Sequence, residues 1–124
     1  MNVTNRKIIS AYKALLRLAD QPLPLKGAFV LHQAKRALTP QWEFILDEEQ
    51  KAIRQHGGQV GENGKIVFGS PEKRAAFLAR ENELTQMETE IDLPPFRIDA
   101  AALPDLSVSV SDLEALEGII EIGQ

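Results

Sequence analysis

Residues 53–73 read IRQHGGQVGENGKIVFGSPEK: four glycines within eight positions, then the apolar run Ile66-Val67-Phe68, then a Ser-Pro pair. Whether this stretch cradles a phosphate or turns the chain decides the fold. A P-loop needs G-x-x-x-x-G-K-[ST]; Gly64-Lys65 supplies its middle, but position 59 is Gln and position 66 is Ile, so the match fails at both ends. A dinucleotide fingerprint needs G-x-G-x-x-G after a strand, whereas Gly58, Gly61 and Gly64 give only G-x-x-G-x-x-G after a helical pattern. The turning reading accounts for more. Gly57 and Gly58 suit a helix C-cap, because glycine enters the left-handed region without a side-chain clash. Val60 and Ile66 to Phe68 flank Asn63-Gly64, a favoured type I′ hairpin dipeptide, which predicts a small β hairpin over 58–68. Ser70 and Pro71 then fit the cap and first-turn positions of a helix, with Glu72 where the macrodipole favours an acid.

Upstream, Leu31, Ala34, Leu38, Trp42, Ile45 and Ile53 form one helical stripe from Leu25 onward, with Lys35, Arg36, Glu43, Asp47 and Lys51 mostly opposite it. Pro40 interrupts the stripe. It reads either as a kink in one long helix or, with Thr39 as N-cap, as a fresh start; the Thr-Pro pair favours two nearly continuous pieces. Downstream, Phe77, Leu84, Met87 and Ile91 make a narrow seam while Glu81, Glu83 and Glu88 face solvent. The two stripes are expected to bury one another in an antiparallel helical hairpin over 25–91 with the β hairpin at its tip.

At the front, Thr4 is a plausible N-cap and Ile8, Tyr12, Leu15, Leu16 and Ala19 predict an amphipathic helix within 1–20, stopped by Pro22 and Pro24. At the back, 92–124 alternates apolar residues (Leu93, Phe96, Ile98, Val108, Val110) among Pro94, Pro95 and Pro104, so short or edge strands are expected. Ser111 with Glu114 reads as a capping box for a last short helix that Gly118 ends. No repeat of fixed period is present. The fold class expected is mainly α with minor β, in one domain over 1–124.

Composition narrows function. Fourteen Lys and Arg against eighteen Asp and Glu give a net charge of −4, which disfavours nonspecific nucleic-acid binding. Cysteine is absent, which removes disulfides, thiolate metal sites and cysteine nucleophiles and fits an intracellular setting. No signal-peptide pattern or membrane-length apolar run occurs, so a soluble chain is expected and the Asn2-Val3-Thr4 sequon is read as chance. His32 and His56 lie far apart without an H-E-x-x-H pattern, so no metal is expected. His56 suits a helix C-terminus. Ser107, Ser109 and Ser111 coexist with the histidines, but no G-x-S-x-G elbow is present. Glu81, Glu83, Glu88, Glu90 and Asp92 read as a solvated face rather than paired catalytic carboxylates.

The stretches ALLRLADQPLPLK at the front and VSVSDLEALEGII at the back resemble small uncharacterised proteins encoded by bacteriophages and prophages of Gram-positive bacteria. The resemblance covers most of the chain, carries no catalytic signature, and departs from the family pattern at Pro40. It implies a small product made during infection or prophage carriage, cytoplasmic or virion-associated, acting by binding. No site residue carries over from it. The function expected is therefore a non-enzymatic protein-binding accessory, assembly or host-interacting protein, self-associating, with no cofactor. A small-ligand binder sequestering a nucleotide signal is the alternative, and a hydrolase ranks last. Candidate partner-binding residues are Trp42, which lies on the apolar stripe and equally fits the core, and Lys65, Arg74 and Arg80 around the hairpin.

Overall fold

The computed structural model describes residues 2–91, 96–99 and 109–123. Strand β1 (Asn2–Thr4) leads directly into helix α1 (Asn5–Ala19), where the Thr4 hydroxyl accepts the Lys7 amide at 3.2 Å. That bond satisfies one of the orphan donors of a helix start. Ile8, Ala11, Tyr12, Ala14, Leu15 and Leu18 are buried along one face. Leu16 and Ala19, placed on this stripe by periodicity, lie outside it and are exposed. Residues 20–24, with Pro22 and Pro24, then reverse the chain.

Helix α2 (Leu25–Gln55) is a single 31-residue helix that runs through Pro40. The expected break at Thr39-Pro40 does not occur. Thr39 is no cap: its hydroxyl donates to the Lys35 carbonyl at 2.8 Å, one turn back inside the helix, and lies 3.3 Å from the Tyr12 hydroxyl. Pro40 removes the amide that the Arg36 carbonyl would accept from, but it sits on the exposed side of α2, where water can take that role. Burial of Leu31, Ala34, Leu38 and Ile45 on the opposite side holds the helix through the defect.

His56 caps α2 and Gly57 follows at φ 70°, the left-handed ending expected. Strands β2 (Gln59–Val60) and β3 (Ile66–Val67) pair antiparallel, Val60 opposite Ile66. The turn is not type I′, which needs positive φ at both central residues; only Gly64 is positive, at 76°. The Gly64 amide instead closes on the Gly61 carbonyl at 3.0 Å, the Asn63 side chain accepts the Lys65 amide at 3.2 Å, and Gly64 absorbs the left-handed step. Helix α3 (Pro71–Gln86) starts as expected, with Ser70 accepting the Lys73 amide, and runs back along α2, so that Arg80 reaches Glu48 and Leu84 packs with Ile45. It stops before Met87 and Ile91, which are not part of its seam. The backbone turns extended at Met87, whose carbonyl accepts the Asn5 amide at 2.9 Å, and β4 (Glu88–Glu90) pairs with β1.

The longest seam of α2 is with α1 rather than α3. Leu18 shares a cluster with Leu31, Tyr12 stacks on Trp42, and Ile8 packs with Ile45, an antiparallel order along the first two thirds of α2. The reason is supply: α1 offers a full buried face, whereas α3 buries only Phe77 and Leu84. Strand β5 (Phe96–Asp99) and β6 (Ile120–Gly123) pair in parallel, and between them lies helix α4 (Val110–Leu116). Ile98, Leu116, Ile119 and Ile120 close the α1–α2 core. Ser109, not Ser111, caps α4, accepting the Asp112 amide at 3.1 Å, so Val110 is helical rather than extended. Gly118 at φ 83° ends that segment. Leu93, Pro94, Pro95, Pro104, Ser107 and Val108 lie outside the described residues. The architecture is mainly α with minor β: a long-helix pair, a second helical hairpin ending in a β tip, and two further small strand pairs.

Candidate functional site

The glycines of the opening stretch serve packing and turning. A Cβ at Gly58 would come within 2.8 Å of Phe68 Cε1, 2.9 Å of Ile53 Cγ2 and 3.1 Å of Ile66 Cγ2, so this position must be bare for β3 and Phe68 to lie on the end of α2. Phe68 in turn meets Phe77 of α3, ring centroids 4.9 Å apart and tilted by 33°. This small sandwich fixes the tip. Outside it, Val60 and Val67 remain 71% and 58% exposed, and Phe44, Leu46 and Leu78 on the helices below are exposed as well.

The four candidate residues fall in different settings. Trp42 is half-buried and stacks on Tyr12, centroids 4.6 Å apart at 17°, against the main core, which fits its structural role. Lys65 is exposed in the tip turn. Arg74 lines a hollow of about 430 Å³ with Phe68, Gly69, Ser70, Pro71 and Leu78 at the start of α3. Arg80 is engaged by Glu48 at 3.8 Å and Glu83 at 3.5 Å. Six residues separate Arg74 from Arg80, which turns them about 120° apart around α3. Arg74 and Arg80 therefore leave α3 in different directions.

Two polar centres escaped the sequence reading. Asn5 is fully buried where α1, α2, α3 and β4 meet; its amide nitrogen donates to the Leu84 carbonyl at 2.9 Å, and its oxygen accepts from Gln41 at 3.0 Å and Thr89 at 3.3 Å. The Gln41 amide also reaches the Thr89 hydroxyl at 3.0 Å, so each buried partner is satisfied. On the other side, Asp112 is buried under α1 and accepts from Arg17 through both Nε, at 3.0 Å, and Nη2. The Arg17 hydrogen bond holds the Asp112 carboxyl below its ordinary value of 3.8, overcoming the opposing effect of burial, and Ser109 assists. A sequence signal existed for Asp112, three residues after its cap, but none tied it to Arg17. These bonds pin helices to one another.

Two other groups are perturbed. Partial burial holds the Lys7 ammonium below its ordinary 10.5 while Glu117 and Glu114 pull it up, and its Nζ donates to the Glu114 carbonyl at 2.6 Å. Glu49, between α2 and α3, is raised above 4.5 chiefly by desolvation and also by Glu81, with Lys13 opposing. His32 is exposed on the outer side of α2 and His56 is the α2 cap, and among the described residues no group of acids and histidines is placed to hold a metal ion. No helix among them is long and apolar enough to cross a membrane.

The outer side of α2 carries, besides the charged residues that periodicity placed there, apolar and histidine side chains that it did not. Leu25, Phe29, His32, Arg36, Pro40, Glu43, Asp47 and Arg54 follow one another at helical spacing, and all are exposed. The chain matches no protein-family model, no curated relative and no solved structure.

Proposed function

We propose that the protein is a non-enzymatic protein-binding module, a phage accessory, assembly or host-interacting factor that presents the faces of its helical hairpin to protein partners. The observation that carries this reading is the hairpin end of the molecule. There a rigid β tip, fixed from behind by the Phe68–Phe77 contact and the bare Gly58, leaves Val60 on one of its faces and Val67 on the other exposed to solvent, and Phe44, Leu46 and Leu78 are exposed on α2 and α3. Apolar side chains held this way are dehydration surface for a partner rather than core. The consumption of the buried polar groups in helix-to-helix bonds supports the same reading. The bacteriophage resemblance supports an intracellular or virion setting for the partner.

The test is paired capture with the native chain and a Val60→Asp/Val67→Asp variant, both checked for native circular dichroism. A specific partner retained by the native tip and lost with the variant, then reconstituted from purified components, supports the proposal. Equal retention by both, or no reconstituted complex, overturns the tip as the binding surface.

A further inference from the structure

The exposed side of α2 has a charge order that its other side lacks. Residues 21–42 contain no acid, and residues 37–50 contain no base. Lys26, His32, Lys35 and Arg36 thus occupy the first half of the helix, and Glu43, Asp47, Glu48 and Glu49 the second, followed by Lys51 and Arg54 near its end, with Pro40 at the midpoint of Leu25–Gln55. On the outer side the order is Phe29, His32, Arg36, then Glu43, Asp47, Gln50. Their numbers are symmetric. Arg36 and Glu43, His32 and Asp47, Phe29 and Gln50, and Leu25 and Arg54 are each equally far from a point between Thr39 and Pro40. Two copies of α2 laid antiparallel about a two-fold axis at that point would set every one of these residues opposite its mirror partner, the basic half of each helix against the acidic half of the other.

We infer that the outer face of α2 is an isologous dimer interface, with a second copy of this chain as its occupant and reciprocal Arg36–Glu43 pairs flanking the axis at Pro40. A two-fold interface requires a self-complementary patch, and this one is self-complementary in charge and antiparallel register. Of the two residues that flank the axis, Pro40 is exposed and Thr39 is half-buried with its hydroxyl turned back to the Lys35 carbonyl, so no long side chain keeps the helices apart there. Leu25 and Phe29, 87% and 60% exposed, add apolar area toward the ends. Asp47 already bonds Lys51 at 3.0 Å, yet both are more than half exposed and remain open to a further partner. The surface is narrow: a stripe about 46 Å long and about 10 Å wide offers about 460 Å² per copy, under the roughly 800 Å² per partner of a standard interface. The dimer is accordingly weak, micromolar or above, and sensitive to salt. This inference rests on the protein-binding reading and supplies one partner for it, on a different surface from the tip.

The experiment is sedimentation velocity on the full chain from about 1 to 500 µM at low and high salt, with Arg36→Glu and Glu43→Arg, both at exposed helical positions. The native chain is expected to dimerise with concentration, less so in high salt. Each single reversal places like charges opposite one another and is expected to weaken association at least tenfold. An equimolar mixture of the two reversals restores opposite pairs at both contacts, and the mixture is expected to dimerise as the double variant does. Because the chain has no cysteine, Pro40→Cys and Leu25→Cys report register: a disulfide at 40 and none at 25 fits the axis, and the reverse overturns it. A native chain that stays monomeric at 500 µM in low salt, or a dimer indifferent to both reversals, overturns the interface. Tip-dependent capture would survive either result, so the two readings fail separately.

Discussion

The two ends of α2 are held by different amounts of protein. Its first half lies against α1 and β5, with α4 packed on α1, and Leu15, Leu31, Ala34, Leu38 and Ile119 are almost wholly removed from water. Beyond Ile45 the helix runs beside α3 and the β tip, and Ala52 and Phe77 are buried there. The difference teaches where stability and binding surface reside. A layered base buries its apolar residues and defines the fold, and a two-helix arm with a thin seam leaves apolar residues over for contact.

Substitutions that separate the two ends should be felt most in the base. Leu38→Ala, at a position fully buried between α1 and α2, is expected to cost about 2–5 kcal/mol and to lower the single denaturant midpoint of the whole chain. Phe77→Ala removes a larger side chain from the arm, yet its effect should be local, exposing amides near 50–80 to hydrogen exchange while those of α1 keep their protection. If Phe77→Ala loosens α1 amides as much as Leu38→Ala does, arm and base are one cooperative unit and the contrast between them is wrong.

Gly58→Ala sharpens the comparison within the arm. The new methyl meets Phe68, which is held by Phe77, and Ile53, whose Cγ2 sits next to its own backbone, so neither can swing away. Overpacking of this kind costs about 1–3 kcal/mol, and here it should appear as increased exchange at 57–68 with the base unaffected. A neutral Gly58→Ala would mean that the tip yields easily and that Val60 and Val67 are not presented on a rigid support.

A fourth change acts on the base through pH. The folded Asp112 carboxyl lies below its ordinary 3.8, so the unfolded chain binds the proton first. The stabilisation is therefore present above about pH 3.8 and lost as pH falls through the lower folded value. Asp112→Asn should lower Tm at pH 7, and the gap to the native chain should narrow below pH 3.8. A gap that is constant with pH would assign the loss to packing alone and not to the Arg17 ion pair.

What the sequence could show followed from local chemistry. Thr4, Ser70-Pro71, Gly57 and the 58–68 strand pair each depend on neighbours within a few residues, and each occurs as read apart from the type of the turn, where only Gly64 takes a positive φ. Pro40 did not break α2, because Leu31, Leu38 and Ile45 are anchored on both sides of it by α1, a tertiary contact that local spacing does not encode. Strands β1 and β4 are too short to carry a period, and only their pairing across more than eighty residues, tied by Asn5, defines them. The α4 cap was missed for a local reason: Ser109 and Ser111 both offer a hydroxyl, and the bond from the Asp112 amide chooses between them. For the candidate binding residues, type and exposure were legible, but the pairing of Arg80 with Glu48 across to α2 was not, since it joins residues distant in sequence.

The smallest expected effect lies at the junction of base and arm. Glu49 is partly buried between α2 and α3 with Glu81 facing it, and its carboxyl is held above 4.5, so the folded chain binds that proton more tightly than the unfolded one. Stability from this group is thus greatest below about pH 4.5 and declines as pH rises through the raised folded value, the opposite sense to Asp112. Replacing it by an uncharged isostere, Glu49→Gln, should raise Tm slightly at pH 7, with no gain at pH 4. Thermal melts at the two pH values check this. A lower Tm at pH 7 would show that attraction to Lys13 outweighs desolvation and Glu81, and that the ionised carboxylate helps fasten the arm to the base.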